Sequence, residues 1–270
     1  MLRLTLIRFL LAIVGAIAPG AAAWYAARLL MRPERHPAQG WEAATPGDYD
    51  SHLLDGGLVA RSWGDGPAVL LLHGWSGRYT QFGPLIEALR AAGLRPVAID
   101  PPAHGDSPGA YAHPIAFADA AFTAAERFAP IAGAVGHSMG AGSIAYSLTL
   151  EQYTPRAVLI AGPAAMSRVL GRYADLLALR PAVRERLYAR VGRTMGIAEQ
   201  DLDIERLAAP PGVRFLVVHD RDDQEVPVAE AESIARCWAG TELHLTRGLG
   251  HRRVLSDAAT VARIVAFLRG

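Results

Sequence analysis

Between Leu58 and Leu268, apolar runs short enough for strands alternate with longer segments of helical period. Residues 68–72 precede a helical pattern at 82–92, residues 95–99 precede 115–128, and residues 131–135 precede 139–150, with a further apolar run at 157–161. A parallel strand pair needs a crossover, and the helix that makes it covers a face of the sheet, so this alternation predicts a mostly parallel sheet with helices on both faces. Residues 58–63 predict an antiparallel strand feeding that sheet. The alternation stops across 163–211, where Arg and Leu recur at helical spacings without a strand-like run, which predicts an inserted helical cap. It resumes with a strand at 213–218, a helix at 228–238, a strand at 242–246 and a last helix at 257–268. The division expected is an apolar N-terminal segment at 1–31, a Pro-, Gly- and polar-rich connection at 32–50, a core at 51–162 and 212–270, and the cap at 163–211.

Residues 2–31 are almost wholly apolar, with Arg3 and Arg8 in front and Arg28, Arg32 and Arg35 behind. A secretory signal would cleave near Ala21-Ala22-Ala23. A span over residues 9–27 would be broken by Pro19-Gly20, and basic flanks on both sides set no orientation. The favoured expectation is a pair of apolar helices, broken at Pro19-Gly20, that pack on the body or lie at a membrane surface. Membrane contact through residues 1–31 is therefore carried as an expectation, with a cytoplasmic or membrane-associated location favoured over export.

The formal charge of +1 and the absence of a long Lys/Arg run argue against a nucleic-acid partner. Cys237 is the only cysteine, which excludes an intramolecular disulfide and a cysteine-based metal cluster.

Gly136-His137-Ser138-Met139-Gly140 lies where the 131–135 run ends and the 139–150 helix begins. A Ser held on a sharp strand-to-helix turn is a nucleophile candidate, and the glycines two positions to either side relieve crowding there. A hydroxyl attacks only when a base takes its proton and a third group orients the base. Two loops supply such groups. His219-Asp220-Arg221-Asp222-Asp223-Gln224-Glu225 follows the strand at 213–218, and Gly248-Leu249-Gly250-His251 follows the strand at 242–246. His251, in a loop before the final helix, is the base candidate, because His244 lies inside a strand. Four carboxylates crowd the first loop, and pattern alone leaves the acid open among them. His36, His52 and His113 are expected as surface residues without partners.

These pieces together with His73-Gly74-Trp75, the run Asp100-Pro101-Pro102-Ala103-His104-Gly105-Asp106-Ser107, and Asp223-Gln224-Glu225-Val226-Pro227 resemble the α/β-hydrolase superfamily, in its lipase, esterase and serine aminopeptidase-like group, over residues 58–268. The resemblance implies an α/β-hydrolase fold with a small helical cap inserted after the sixth strand. It implies Ser138, Asp223 and His251 as the catalytic residues, with Asp222 the fallback acid, and the Trp75 and Met139 N–H groups as the oxyanion hole. It further implies acyl transfer from an ester-like small-molecule substrate to water, without metal or organic cofactor. A thioesterase, an acyltransferase, an aminopeptidase and a non-catalytic binding protein are the alternatives. In that family His73, Asp100 and His104 hold loops rather than react. Ala103 and Asp220 stand where relatives commonly have Gly, which places the conformation of those two loops in question.

Overall fold

In a computed structural model, described for residues 2–36, 42 and 45–270, eight strands form one sheet. They are β1 (Asp50–Leu53), β2 (Val59–Ser62), β3 (Ala68–Leu72), β4 (Arg95–Asp100), β5 (Ile131–His137), β6 (Arg156–Ile160), β7 (Arg214–Asp220) and β8 (Glu242–Thr246). Their spatial order is β1-β2-β4-β3-β5-β6-β7-β8. From β4 to β8 every pairing is parallel, while β2 meets both β1 and β4 antiparallel. The chain divides into two compact units, one of residues 1–32 and 165–207 and the other of 33–164 and 208–270.

The second unit holds the sheet. Every residue of β3 is buried, as expected of a parallel strand covered on both faces. Val69 and Leu71 join a cluster with Leu85, Ile86 and Leu89 of α3 (Gly83–Ala91) and with Ile264, Phe267 and Leu268 of α10 (Ala258–Arg269). Period-two alternation turns Leu70 and Leu72 to the opposite face, where α4 (Pro114–Phe128) packs against α5 (Met139–Leu150). Each large aliphatic side chain so buried contributes about 1.5–3 kcal/mol relative to its exposed state. The helix α8 (Val228–Cys237) packs on β7.

Four features differ from the expectations. Strand β1 was not foreseen, because Asp50-Ser51-His52-Leu53 carries no apolar run and is mostly exposed at the sheet edge. Strand β7 extends through His219 and Asp220, so the acid loop starts later than the apolar run suggests. His251 lies not in a loop but in a four-residue helix, α9 (Gly250–Arg253). Within the expected connection at 32–50, Glu34 N donates to Ser76 Oγ (2.9 Å), and Arg35 donates to the carbonyls of Ala103 (3.1 Å) and Ser107 (2.7 Å), so this piece is bound to the site loops. Positions 37–41 and 43–44 of that connection lie outside the described residues.

The other unit contains α1 (Leu2–Ile17), α2 (Pro19–Leu30), α6 (Met166–Leu176) and α7 (Pro181–Met195). The break between α1 and α2 falls at Ala18, and Pro19 occupies the first turn of α2, where a missing N–H costs nothing. The alanines Ala22, Ala23, Ala26 and Ala27 are buried, and α2 packs on α7. A Cβ on Gly15 would come within 3.0 Å of the Val183 side chain of α7. Tyr173 Oη of α6 donates to the Ala26 carbonyl (2.8 Å), and Asp203 accepts from the N–H and hydroxyl of Ser167 at the start of α6 (3.0 and 2.6 Å). Among the described residues no helix is long and apolar enough to cross a membrane.

Candidate active site

Ser138 joins β5 to α5 with φ 52° and ψ −117°. That region is unfavourable for a residue with a Cβ and costs about 1–3 kcal/mol, so the surroundings must impose it. They do so through the Ser138 N–H, which donates to the Ile160 carbonyl of β6 (2.8 Å), and through the first turn of α5, where Ala141 N donates to Ser138 O (3.0 Å). The flanking glycines have no room for a side chain. A Cβ on Gly136 would lie 2.5 Å from the Gly140 carbonyl carbon, and one on Gly140 would overlap the Leu72 carbonyl oxygen.

His251 Nδ1 lies 2.7 Å from Asp223 Oδ2, with both residues buried. A carboxylate only accepts, so Nδ1 carries the proton and Nε2 is left with its lone pair. Asp223 Oδ1 accepts from Glu225 N (2.8 Å) and Val226 N (2.9 Å), and His219 Nε2 stands 3.4 Å from Oδ2. Burial opposes ionisation of Asp223, but the hydrogen bonds from His219, His251 and Val226 outweigh it and hold the carboxyl below its ordinary range.

The other carboxylates of this loop have different partners. Asp222 Oδ2 accepts Gly248 N (2.9 Å). Asp220 accepts Asp222 N on one oxygen (2.9 Å), and Thr246 Oγ1 (2.7 Å) and Leu249 N (3.0 Å) on the other. Asp220 therefore joins the two loops that carry Asp223 and His251. Glu225 Oε2 lies 3.9 Å from His251 Nε2, and the Glu225 carboxylate is paired with Arg252 (3.2 Å).

Ser138 and His251 line one cavity of about 380 Å³ together with Gly74, Trp75, Ser76, Arg78 and Glu225. Among the described residues no hydrogen bond links Ser138 Oγ to His251, as is common before substrate binds. Trp75 follows β3, and Met139 opens α5, whose positive end favours developing negative charge.

Around this centre, Asp100 Oδ2 accepts Arg61 Nη1 (2.7 Å) and Asp106 N (3.1 Å). His104 Nε2 accepts Ser76 N (3.0 Å), and its Nδ1 donates to Pro102 O (2.9 Å), which fixes a neutral ring. Burial, reinforced by neighbouring His73, lowers its pKa to about 4. Ala103 takes φ 64°, so the left-handed turn that Gly commonly supplies is kept with a methyl group in place. The three histidines expected without partners all have them, His36 through Glu34 Oε2, 3.4 Å from its Nε2. His52 Nε2 meets Ser62 Oγ (2.9 Å), and His113 caps α4 by accepting Ala116 N (3.3 Å). His36 lines the cavity, and its carbonyl accepts Arg78 Nη1 (3.3 Å).

Sequence reasoning assigned no role to Arg78 or Arg252, offered His219 only as the start of the acid loop, and led to His36 being expected at the surface. Only His219, the first residue past the apolar run at 213–218 and four before Asp223, carries a local signal. Among the described residues no group of three or more His, Cys, Asp or Glu is arranged to hold a metal.

Residues 69–264 match the model of the alpha/beta hydrolase family, and the chain belongs to that family. Among solved structures, an esterase of Pyrococcus furiosus is similar at 21% identity and a TM-score of 0.65, over 88% of this chain and 98% of the other. A meta-cleavage product hydrolase of Pseudomonas fluorescens is similar at 20% identity and 0.60, over 82% and 97%. Est1E of Butyrivibrio proteoclasticus, solved with ferulic acid bound, is similar at 18% identity and 0.65, over 82% and 99%. At these identities the likeness is one of fold. No curated protein matches the chain by sequence.

Proposed function

We propose that this hydrolase-family protein cleaves a carboxylic ester through an acyl-enzyme formed on Ser138. The observation that carries the reading is His251, held by buried Asp223 at 2.7 Å and lining one cavity together with Ser138. His251 Nε2 takes the Ser138 proton as Oγ attacks the ester carbonyl, and Asp223 stabilises the imidazolium that forms. The Trp75 and Met139 N–H groups hold the oxyanion, a pair in which loss of one donor costs about a hundredfold or more in rate. Collapse of the tetrahedral intermediate transfers the His251 proton to the departing alkoxide. Water, deprotonated by His251, then releases the acid and restores Ser138.

The test is turnover of short-chain nitrophenyl esters together with labelling by a fluorophosphonate probe. The native chain should turn over many equivalents, and Ser138→Ala should abolish both signals. A single stoichiometric event would identify a binding protein, and persistent labelling of the Ala variant would overturn Ser138 as nucleophile.

A further inference from the structure

The charge of the chain is divided between its two units. Residues 1–32 and 165–207 hold twelve Arg against six Asp and Glu, a net +6, and the sheet-bearing remainder holds fifteen Arg against twenty carboxylates, a net −5. No acidic residue precedes Glu34. The +1 of the whole chain conceals this division.

The basic unit also carries an exposed apolar face. Leu2, Leu6, Phe9, Leu10, Ile13 and Ile17 are all exposed, with Leu2 at 92%, Phe9 at 61% and Ile17 at 82%. At the helical turn angle these six positions fall on one stripe of α1 about 100° wide. The reverse of α1 is the packed side, where Leu11 and Gly15 are buried. The apolar stripe and the packing stripe are thus different faces of one helix. In α2, Trp24 and Tyr25 are 47% and 41% exposed, and the Arg28 guanidinium lies over the Trp24 ring at 5.5 Å.

From this juxtaposition we infer that the N-terminal unit docks on an anionic lipid surface, with α1 lying in the plane of the interface and its Leu2–Ile17 stripe in the acyl boundary. At 16 residues, about 24 Å, α1 falls short of the roughly 30 Å hydrocarbon core, so lying in the interface fits it and spanning does not. Basic charge on an apolar unit favours anionic headgroups, and indole and phenol rings suit the boundary between headgroup and chain. Packing of this stripe on the same stripe of a second copy would bring +6 against +6, so the charge favours lipid over that pairing.

The test is flotation of the full chain with vesicles of phosphatidylglycerol and phosphatidylcholine, beside vesicles of phosphatidylcholine alone. Co-flotation is expected with the anionic vesicles, several-fold weaker with the neutral ones, and falling as salt is raised. The triple variant Leu6→Ser/Phe9→Ser/Ile13→Ser should lose roughly tenfold or more of the binding while its ester turnover is unchanged. A dye of polarity-sensitive emission on Phe9→Cys, in a Cys237→Ser background, should shift to the blue on anionic vesicles. No flotation, equal binding by the triple variant, an unshifted dye, or a dimer that the triple variant dissociates would each overturn the inference. Ester turnover reads the site independently, so failure of docking and failure of the hydrolase reading are distinguishable.

Discussion

His137, the residue before Ser138, donates from Nε2 to the carbonyl oxygen of His251, 2.9 Å away. The two rings lie 4.7 Å apart, and the His137 ring is buried. The turn that presents the serine thus also holds the backbone of the histidine. Replacing His137 with Phe should lower kcat toward nitrophenyl esters by about tenfold, since small misplacements of a catalytic group are costly, with less effect on KM. Far-UV circular dichroism should be unchanged. An unaltered kcat would show that the contact has no part in positioning His251.

Two adjacent carboxylates make separable predictions. Asp223→Asn keeps the shape of the His251 partner but favours the wrong ring tautomer, and kcat should fall by about 10⁴. Asp222→Asn weakens only the bond to Gly248 N, so kcat should stay within a few-fold of native while stability falls by about 1 kcal/mol. Reversal of these two outcomes would move the acid to Asp222.

Gly140 is predicted to be intolerant of even one methyl group. The added carbon would overlap the Leu72 carbonyl oxygen at the end of β3, and backbone cannot swing aside as a side chain can. Gly140→Ala should lower the denaturant midpoint by the equivalent of about 1–3 kcal/mol and reduce ester turnover. Gly171→Ala, at a half-buried position of α6 where an added Cβ would meet nothing within 4 Å, should not.

Acid stability follows from buried neutral rings. Burial lowers His104 to about 4 and His137 to about 3, so between those values and about 6.5 the unfolded chain binds protons that the folded chain refuses. Stability therefore falls as pH drops below about 6.5. Asp100, lowered to about 2 against the resistance of its burial by His73 and Arg61, adds loss only below about 3.9. Denaturant melts from pH 7.5 to 4.5 should show the decline, with a smaller slope for His104→Gln. A flat profile in the native chain would show that these rings are protonated in the folded state.

Elements whose residues face the core on both sides were readable, because continuous apolar runs and helical periods record burial directly. Strands β3 to β6 fall within two residues of their expected bounds for that reason. Edge strand β1 left no such record, nor did α9, which is too short to show a period. The turn around Ser138 was legible because only Gly fits at 136 and 140. The bonds that Asp220 and Asp222 accept from Leu249 N and Gly248 N were not, since a backbone amide of a distant segment leaves no trace in residue type. The same holds for Glu34 and Arg35, whose bonds to Ser76 and to the Ala103 and Ser107 carbonyls gave no pattern to read.

Strands β6 and β7 are hydrogen-bonded neighbours, Val158 opposite Leu216, although residues 161–213 separate them in the chain. Their registry is fixed by backbone pairing and does not depend on the length of what is inserted. Doubling such an excursion adds only about 0.6 kcal/mol of closure entropy. The sheet is therefore indifferent to the length of this segment, and a change there would be felt instead by α1 and α2, on which its helices pack.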